Sequence, residues 1–235
     1  ESATIVNSNC SPGTSGSIDI TVSGGTPGYT YLWSNSATTQ DLTNITSGNY
    51  SVKVTDAAGC TKVNLYTVSN SCIGIAKTIG SGPTNNQDGT YTLSYQIKIE
   101  NKGDVDLTSV QAVENLTTTF ASATSFGSVS ISSADFTVNG SYNGVSNTNL
   151  LSSGQTLTVG GTGYITVTLT VTPGSFLGVY NNNASTSAQD ATGASTTDVS
   201  QNGTNVDPDN DGNPGNNSVP TPVSFTESPI IGVAK

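Results

Sequence analysis

TYTLSYQIKIENKG, Thr90 to Gly103, decides the fold. Tyr91, Leu93, Tyr95, Ile97 and Ile99 occupy every second position, with Thr, Ser, Gln, Lys and Glu between them. A period of two puts one set on each face of an extended chain, so this is a strand with one face on a core. GYITVTLTVTP (Gly163–Pro173) repeats the pattern with Ile165, Val167, Leu169 and Val171. Shorter strands are expected around Val110, Val129 and Val138, and VPTPVSF (Val219–Phe225) as a last strand. No stretch carries the i, i+3, i+4 apolar spacing of a helix.

Upstream, the same period recurs on a smaller scale. GSIDITVSGG sets Ile18, Ile20 and Val22 against Asp19, Thr21 and Ser23. YTYLW puts Tyr29, Tyr31 and Trp33 on one face, and NYSVKVTD does so with Tyr50, Val52 and Val54. KVNLYTV adds Val63, Leu65 and, out of phase, Val68. Short strands separated by Gly, Pro, Ser and Asn clusters predict an all-β chain of tandem Ig-like, Greek-key β-sandwich modules. The expected modules are 1–72 and 73–228. IGIAK (Ile73–Lys77) returns as IGVAK (Ile231–Lys235), so 229–235 is expected to begin another repeat. The chain then reads as a segment cut from a longer array, with its neighbouring modules as its first partners.

Charge narrows the function. Charged residues are only 9% of the chain, yet the net charge is −10, with six lysines, no arginine and no histidine. Nucleic acid needs clustered cations to displace counterions, and anionic membrane surfaces need the same, so neither is an expected partner. No apolar run reaches the length of a membrane span, and no membrane insertion is expected. Without histidine the commonest general base is missing. No nucleophile elbow, zinc spacing or phosphate loop appears, and the chain reads as non-catalytic.

Gly16-Ser17-Ile18, Val22, Gly24-Gly25-Thr26-Pro27, Tyr29, Tyr31, Trp33-Ser34-Asn35, Gly48, Tyr50, Val52, Val54, Asp56 and Gly59-Cys60 together resemble the SprB-type repeat of giant surface adhesins of gliding bacteria. Ser36 departs from the glycine usual there. The second unit resembles an Ig-like conserved repeat of bacterial surface proteins, through Ile73–Lys77, Gly89-Thr90-Tyr91, Asn101 to Asp106 and the acidic tail. The resemblance implies an extracellular, cell-surface protein exported by type IX secretion, acting in adhesion or gliding motility. Surface polysaccharide or the gliding machinery would be partners through the parent protein. A polysaccharide-binding module, or an accessory module of a secreted enzyme, are the alternatives.

Three cysteines, Cys10, Cys60 and Cys72, leave the pairing open. Closing the Cys10–Cys60 or the Cys60–Cys72 loop stabilises by a similar amount, about 3–4 kcal/mol, and three buried thiols are a further option. The SprB-type resemblance implies Cys10–Cys60, with Cys72 left odd at the module junction.

DPDNDGNPGNN (Asp207–Asn217) is the strongest candidate binding motif. Asp207, Asp209 and Asp211 stand at positions 1, 3 and 5 of a calcium-type loop, Gly212 at 6, and Asn213 at 7 could offer its carbonyl. Position 12 is Ser218 rather than Glu, and no helices flank the loop, so it is not an EF-hand. Asp198 and Asp190 are the nearest upstream acids that could complete a shell of about six to eight oxygens. Five of the sixteen acidic residues lie between Asp190 and Asp211, and no lysine occurs between Gly103 and Ala234. A bound Ca2+ would neutralise them. A solvated acidic linker is the other reading.

Two weaker candidates remain. Trp33 with Tyr29 and Tyr31 could stack on sugar, but a sandwich commonly buries such a Trp. Lys77, repeated as Lys235, could form an intramolecular isopeptide with an asparagine, as in some pilin domains. No neighbouring acid is identifiable for it, and a surface lysine is the simpler expectation.

Overall fold

In the first unit, six strands make two three-stranded antiparallel sheets. They are β1 (Ser2–Val6), β2 (Gly16–Thr21), β3 (Thr30–Trp33), β4 (Leu42–Ile45), β5 (Gly48–Thr55) and β6 (Thr61–Val68). The computed structural model describes residues 1–10, 13–176 and 178–226; the expected repeat at 229–235 lies outside them. The sheets run β1-β2-β4 and β3-β5-β6. Between them Ile18, Ile20, Trp33, Leu42, Ile45, Val52, Val54 and Val68 form one buried cluster. Trp33 is only 2% exposed, and its Nε1 donates to the Thr39 carbonyl at 2.9 Å. It is a core residue, with no face free for a sugar.

The last apolar run of the first unit, KVNLYTV, lies the other way up from its simplest reading. In the β5–β6 register Asn64 stands opposite Val52 and Tyr66 opposite Tyr50. Directly opposed residues share a face. Asn64, Tyr66 and Val68 therefore point inward, while Val63 and Leu65 are exposed. Ser36 sits in the turn after Trp33 at φ +69°, which explains why glycine suits that position.

The second unit is larger. Its strands are β7 (Ile73–Asn85), β8 (Tyr91–Asn101), β9 (Leu107–Glu114), β10 (Ser125–Ser132), β11 (Gln155–Leu157), β12 (Thr162–Thr172), β13 (Val179–Asn182), β14 (Ala184–Gln189), β15 (Ser195–Val199), β16 (Gln201–Asn202) and β17 (Thr221–Ser224). A five-stranded sheet β10-β12-β8-β7-β16 faces a four-stranded sheet β11-β9-β14-β15, with β13-β17 as a further pair. The alternating residues of β8 and β12 are all buried and form the centre of the core. Val138 makes an isolated bridge to Leu151 instead of a strand. One helical turn, Leu116–Thr119, is capped by the Asn115 side chain, and a 3-10 turn covers Pro214–Asn216.

Strand β7 needs partners on its free edge. The Ile73 amide donates to Thr196 Oγ1 at 3.3 Å, and the Ile75 amide to Asp198 Oδ2 at 2.7 Å. Thr196 and Asp198, two residues apart on β15, thus stand in for a strand. The chain then turns at buried Ser200, whose amide and hydroxyl both bond the Ala184 backbone. Beyond it β16 pairs parallel with β7 at Ala76 and Lys77. The chain changes sheets at Ser200, a corner of the sandwich.

The disulfide is Cys10–Cys72, not the Cys10–Cys60 pairing that the resemblance implies. Cys60 lies in the β5–β6 turn, exposed and free. Eight register pairs, Gly48↔Val68 to Thr55↔Thr61, separate that turn from the hairpin's other end. Cys72 follows that other end by four residues, and Cys10 is held there by a Ser8↔Asn70 bridge. Around the disulfide the backbone is densely bonded. Ser8 exchanges amide and carbonyl with Ser71 and Ser69, and Lys102 and Gly103 amides both donate to the Cys72 carbonyl. Replacing Cys10 and Cys72 together by Ala is expected to cost about 2–4 kcal/mol in denaturant unfolding, whereas Cys60→Ser leaves the midpoint unchanged. A Cys60→Ser chain that loses a comparable amount would restore a pairing through Cys60.

Candidate metal centre and its surroundings

The acidic loop joins β16 to β17 and is seated on β7. A side chain at Gly74 would meet Val206 and Pro214 at 2.8–2.9 Å, so these two residues pack flat on the outer face of β7 where only hydrogen fits. They clamp the two ends of the acidic run. Between them Asn210 and Gly212 take left-handed backbone, at φ +56° and +85°, and curl the loop on itself.

This curl brings Asp207, Asp209 and Asp211 together, one carboxylate oxygen from each within 4.8 Å of the others. Asp207 is buried. Its Oδ2 accepts the Gly212 amide at 3.1 Å, and its Oδ1 is buried with no partner. Asp209 and Asp211 are exposed and accept from the Asn217 and Asn216 carboxamides at 3.1 and 2.7 Å. The Asn217 donor holds Asp209 below the usual carboxylate range. Three carboxylates with an orphaned buried oxygen are an all-oxygen donor set, the chemistry a hard divalent cation takes. The Asn213 carbonyl accepts the Asn216 amide and closes the 3-10 turn.

The two upstream acids stand outside this cluster. Asp198 caps the Ile75 and Val199 amides. Asp190 accepts Thr192 and Ala194 in its own turn, and its Oδ2 accepts Asn7 Nδ2 of the first unit at 2.8 Å. Both carboxylates are buried in structural work that sequence spacing does not reveal. Lys102 adds a cation that the spacing of lysines along the chain does not reveal. Although no lysine follows it until the last residue, it reaches from the end of β8 to 3.9 Å from Asp207 Oδ2. One protein cation therefore does approach the loop.

Lys77 is also misplaced as a surface lysine. It follows Ile73 and Ile75 in the inward phase of β7, is fully buried, and pairs with Glu114. Its Nζ lies 4.3 Å from the centre of the Tyr95 ring. Glu114 is the acid that the sequence does not announce; its signal was its phase, two and four residues after inward-facing Ala112 and Val110.

The SprB repeat family model matches residues 2–38, so the first unit carries a SprB repeat; the Gly48–Cys60 residues of the resemblance fall beyond the matched range. No curated protein sequence matches the chain. Among solved structures, BcpA, the major pilin subunit of Bacillus cereus, is similar at TM-score 0.38 and 11% identity, over 74% of this chain and 62% of that one. The full-length major pilin SpaD of Corynebacterium diphtheriae is similar at 0.33 and 18%, over 68% and 46%. A putative membrane anchored protein of the same organism is similar at 0.33 and 9%, over 99% and 60%. The chain spans less than two thirds of the length of each. Among the described residues no helix is long and apolar enough to cross a membrane.

Two outcomes follow from this geometry. Gly74→Val should displace Val206 and Pro214 and destabilise the second unit by about 1–3 kcal/mol in denaturant unfolding; an unchanged midpoint would mean the loop is not seated on β7. Burial, opposed by the Ile75 and Val199 amides, pushes Asp198 up from 3.8 to about 6. The unfolded chain then ionises first, so this group's contribution to stability is present below about pH 4 and falls as pH rises to about 6. With chelator present, the stability of wild type relative to Asp198→Asn should drop by about 1–3 kcal/mol across that window. A flat difference would place Asp198 in water.

Proposed function

We propose that the chain is a non-catalytic repeat segment of a cell-surface adhesin, acting outside the cell as a stalk whose second module binds Ca2+ at Asp207, Asp209 and Asp211. Adhesion or gliding motility, with export by type IX secretion, is the role that the SprB repeat suggests for the parent protein. The second unit is the Ig-like repeat that follows it. The carrying observation is the convergence of three carboxylates, one of which, Asp207, keeps a buried Oδ1 without a partner. A linker that merely repelled itself would leave all three carboxylates in water.

A cation here would act on the joint between units. Val206 and Pro214 fix the loop to Gly74, two residues from Cys72, and Lys102 beside Asp207 follows Asn101 into the turn that bonds the Cys72 carbonyl. Extracellular sites bind calcium at about 10⁻⁴–10⁻³ M, so millimolar calcium contributes only ~0.4–1.4 kcal/mol. That is enough to order a loop and too little to fold a module.

Calcium should raise the thermal midpoint of wild type by a few degrees over chelator, and leave an Asp207/Asp209/Asp211→Asn variant unmoved. Equal midpoints in wild type with and without calcium would make DPDNDGNPGNN a solvated linker and the stalk a flexible one.

A further inference from the structure

Three polar side chains stand in the core of the second unit where alternation calls for apolar ones. Lys77 follows Ile73 and Ile75 on β7, Glu114 follows Val110 and Ala112 on β9, and Asn182 follows Tyr180 on β13. None of the three has any exposed surface. They come from three separate strands, yet they converge. Lys77 Nζ donates to Glu114 Oε2 and lies over the Tyr95 ring. The Asn182 carboxamide is beside the Tyr95 hydroxyl. Thr221, the register partner of Asn182, donates its Oγ1 to the Lys77 carbonyl at 2.8 Å.

An ion pair accounts for only part of this. Buried polar groups are ordinarily satisfied. Here Asn182 Nδ2 and Glu114 Oε1 are both buried without partners, as are the hydroxyls of Tyr95 and Tyr142. An asparagine placed to support the ion pair would donate its amide. Asn182 instead accepts Thr119 Oγ1 at 2.8 Å on its carbonyl oxygen and leaves its nitrogen free. That is the polarity of an electrophile: a donor on the oxygen, where negative charge would develop, and an unheld nitrogen as leaving group.

We propose that Lys77 and Asn182 join in an intramolecular isopeptide bond, formed within the folded module with Glu114 relaying the proton. The neutral Lys77 amine attacks Cγ of Asn182, and the N–C bond forms. The Cγ–Nδ2 bond breaks, and one proton passes from Nζ through the Glu114 carboxylate to Nδ2. The products are a secondary amide and one molecule of ammonia, with no oxidant or cofactor. Burial, opposed by Glu114, lowers the Lys77 ammonium to about 8, so a nucleophilic amine is accessible near neutral pH. The surrounding core excludes water that would compete for the carbonyl.

The bond would tie the first strand of the module to the partner of its last described strand, since β13 pairs with β17. Pulling on the module could then not extend the chain between Lys77 and Asn182. The inference is independent of the cation reading, and its test is blind to calcium.

The test is intact-mass spectrometry of the reduced full chain, followed by digestion. The expected mass is short of the sequence by one ammonia, with a branched peptide joining Lys77 to Asn182. Glu114→Gln is expected to return the chain to its sequence mass and abolish the branched peptide. A wild-type chain at full sequence mass overturns the proposal. So does loss of ammonia without the branched peptide, as a succinimide at an Asn-Gly step such as Asn202-Gly203 would give. A Glu114→Gln chain that still carries the branched peptide removes the relay role.

Discussion

The first five residues of β7 are buried on every side, and the rest of the structure is arranged around that constraint. Inward, Ile73 and Ile75 join the core of the second unit. Outward, Gly74 admits Val206 and Pro214 so closely that no side chain could replace its hydrogen. Along one edge β8 supplies an antiparallel ladder, and along the other Thr196 and Asp198 take the amides of Ile73 and Ile75 before β16 arrives. A buried amide without an acceptor costs about as much as a lost hydrogen bond, so a strand enclosed in this way must have each amide accounted for. The side chains on β15 that do so are polar for that reason. Asp198 tolerates a raised pKa because its acceptor role on β7 cannot be handed to water.

The same enclosure sets the electrostatics of the acidic loop. With Val206 and Pro214 fixed on Gly74, Asp207 is drawn below the surface while Asp209 and Asp211 remain above it. Lys102 at 3.9 Å offsets one charge of the three. An exposed or half-exposed pair at that distance contributes little, typically under about 1 kcal/mol. The residual negative charge sits beside a carboxylate oxygen that no protein donor reaches, and this is the charge that the proposed cation would offset.

Much of the fold was legible because alternation is a strong signal where side chains are large. Tyr91 to Ile99 and Ile165 to Val171 declared the two central strands, and Ile18–Ile20 and Val52–Val54 declared the smaller sandwich. Strands β13 to β16 were silent, because apart from Tyr180 their inward positions are held by residues such as Asn182, Ala184, Thr186, Ala188 and Thr196, which are equally at home in a loop. Val63 and Leu65 misled for the opposite reason: they are apolar and in phase with each other, but cross-strand register against β5 set the face, and register is not written in one strand alone. The acidic triad was visible as spacing. The dismissal of Asp190 and Asp198 from it was not, since their partners, Asn7 and the Ile75 amide, are more than a hundred residues distant. Cys10–Cys72 was hidden likewise: loop-closure entropy barely separates the possible pairings, and only the length of the β5–β6 hairpin excludes Cys60.

Lys77 is the instructive case, because the period that identified the core also placed this lysine in it. Counting from Ile73 and Ile75, the third inward position of β7 is a lysine. A charge there is tolerable only with a partner, since an isolated buried ion costs far more than the whole stability of a domain. The partner had to come from another inward phase, and Val110, Ala112, Glu114 supplies it. Even so, a buried ion pair is often no better than an apolar pair of equal size. A core that keeps lysine, glutamate and asparagine together, with the asparagine nitrogen unbonded, bears a cost that stability alone does not explain. Such a cost is sensible where it ends in chemistry, and in the proposed stalk a covalent tie across the core would have a mechanical use.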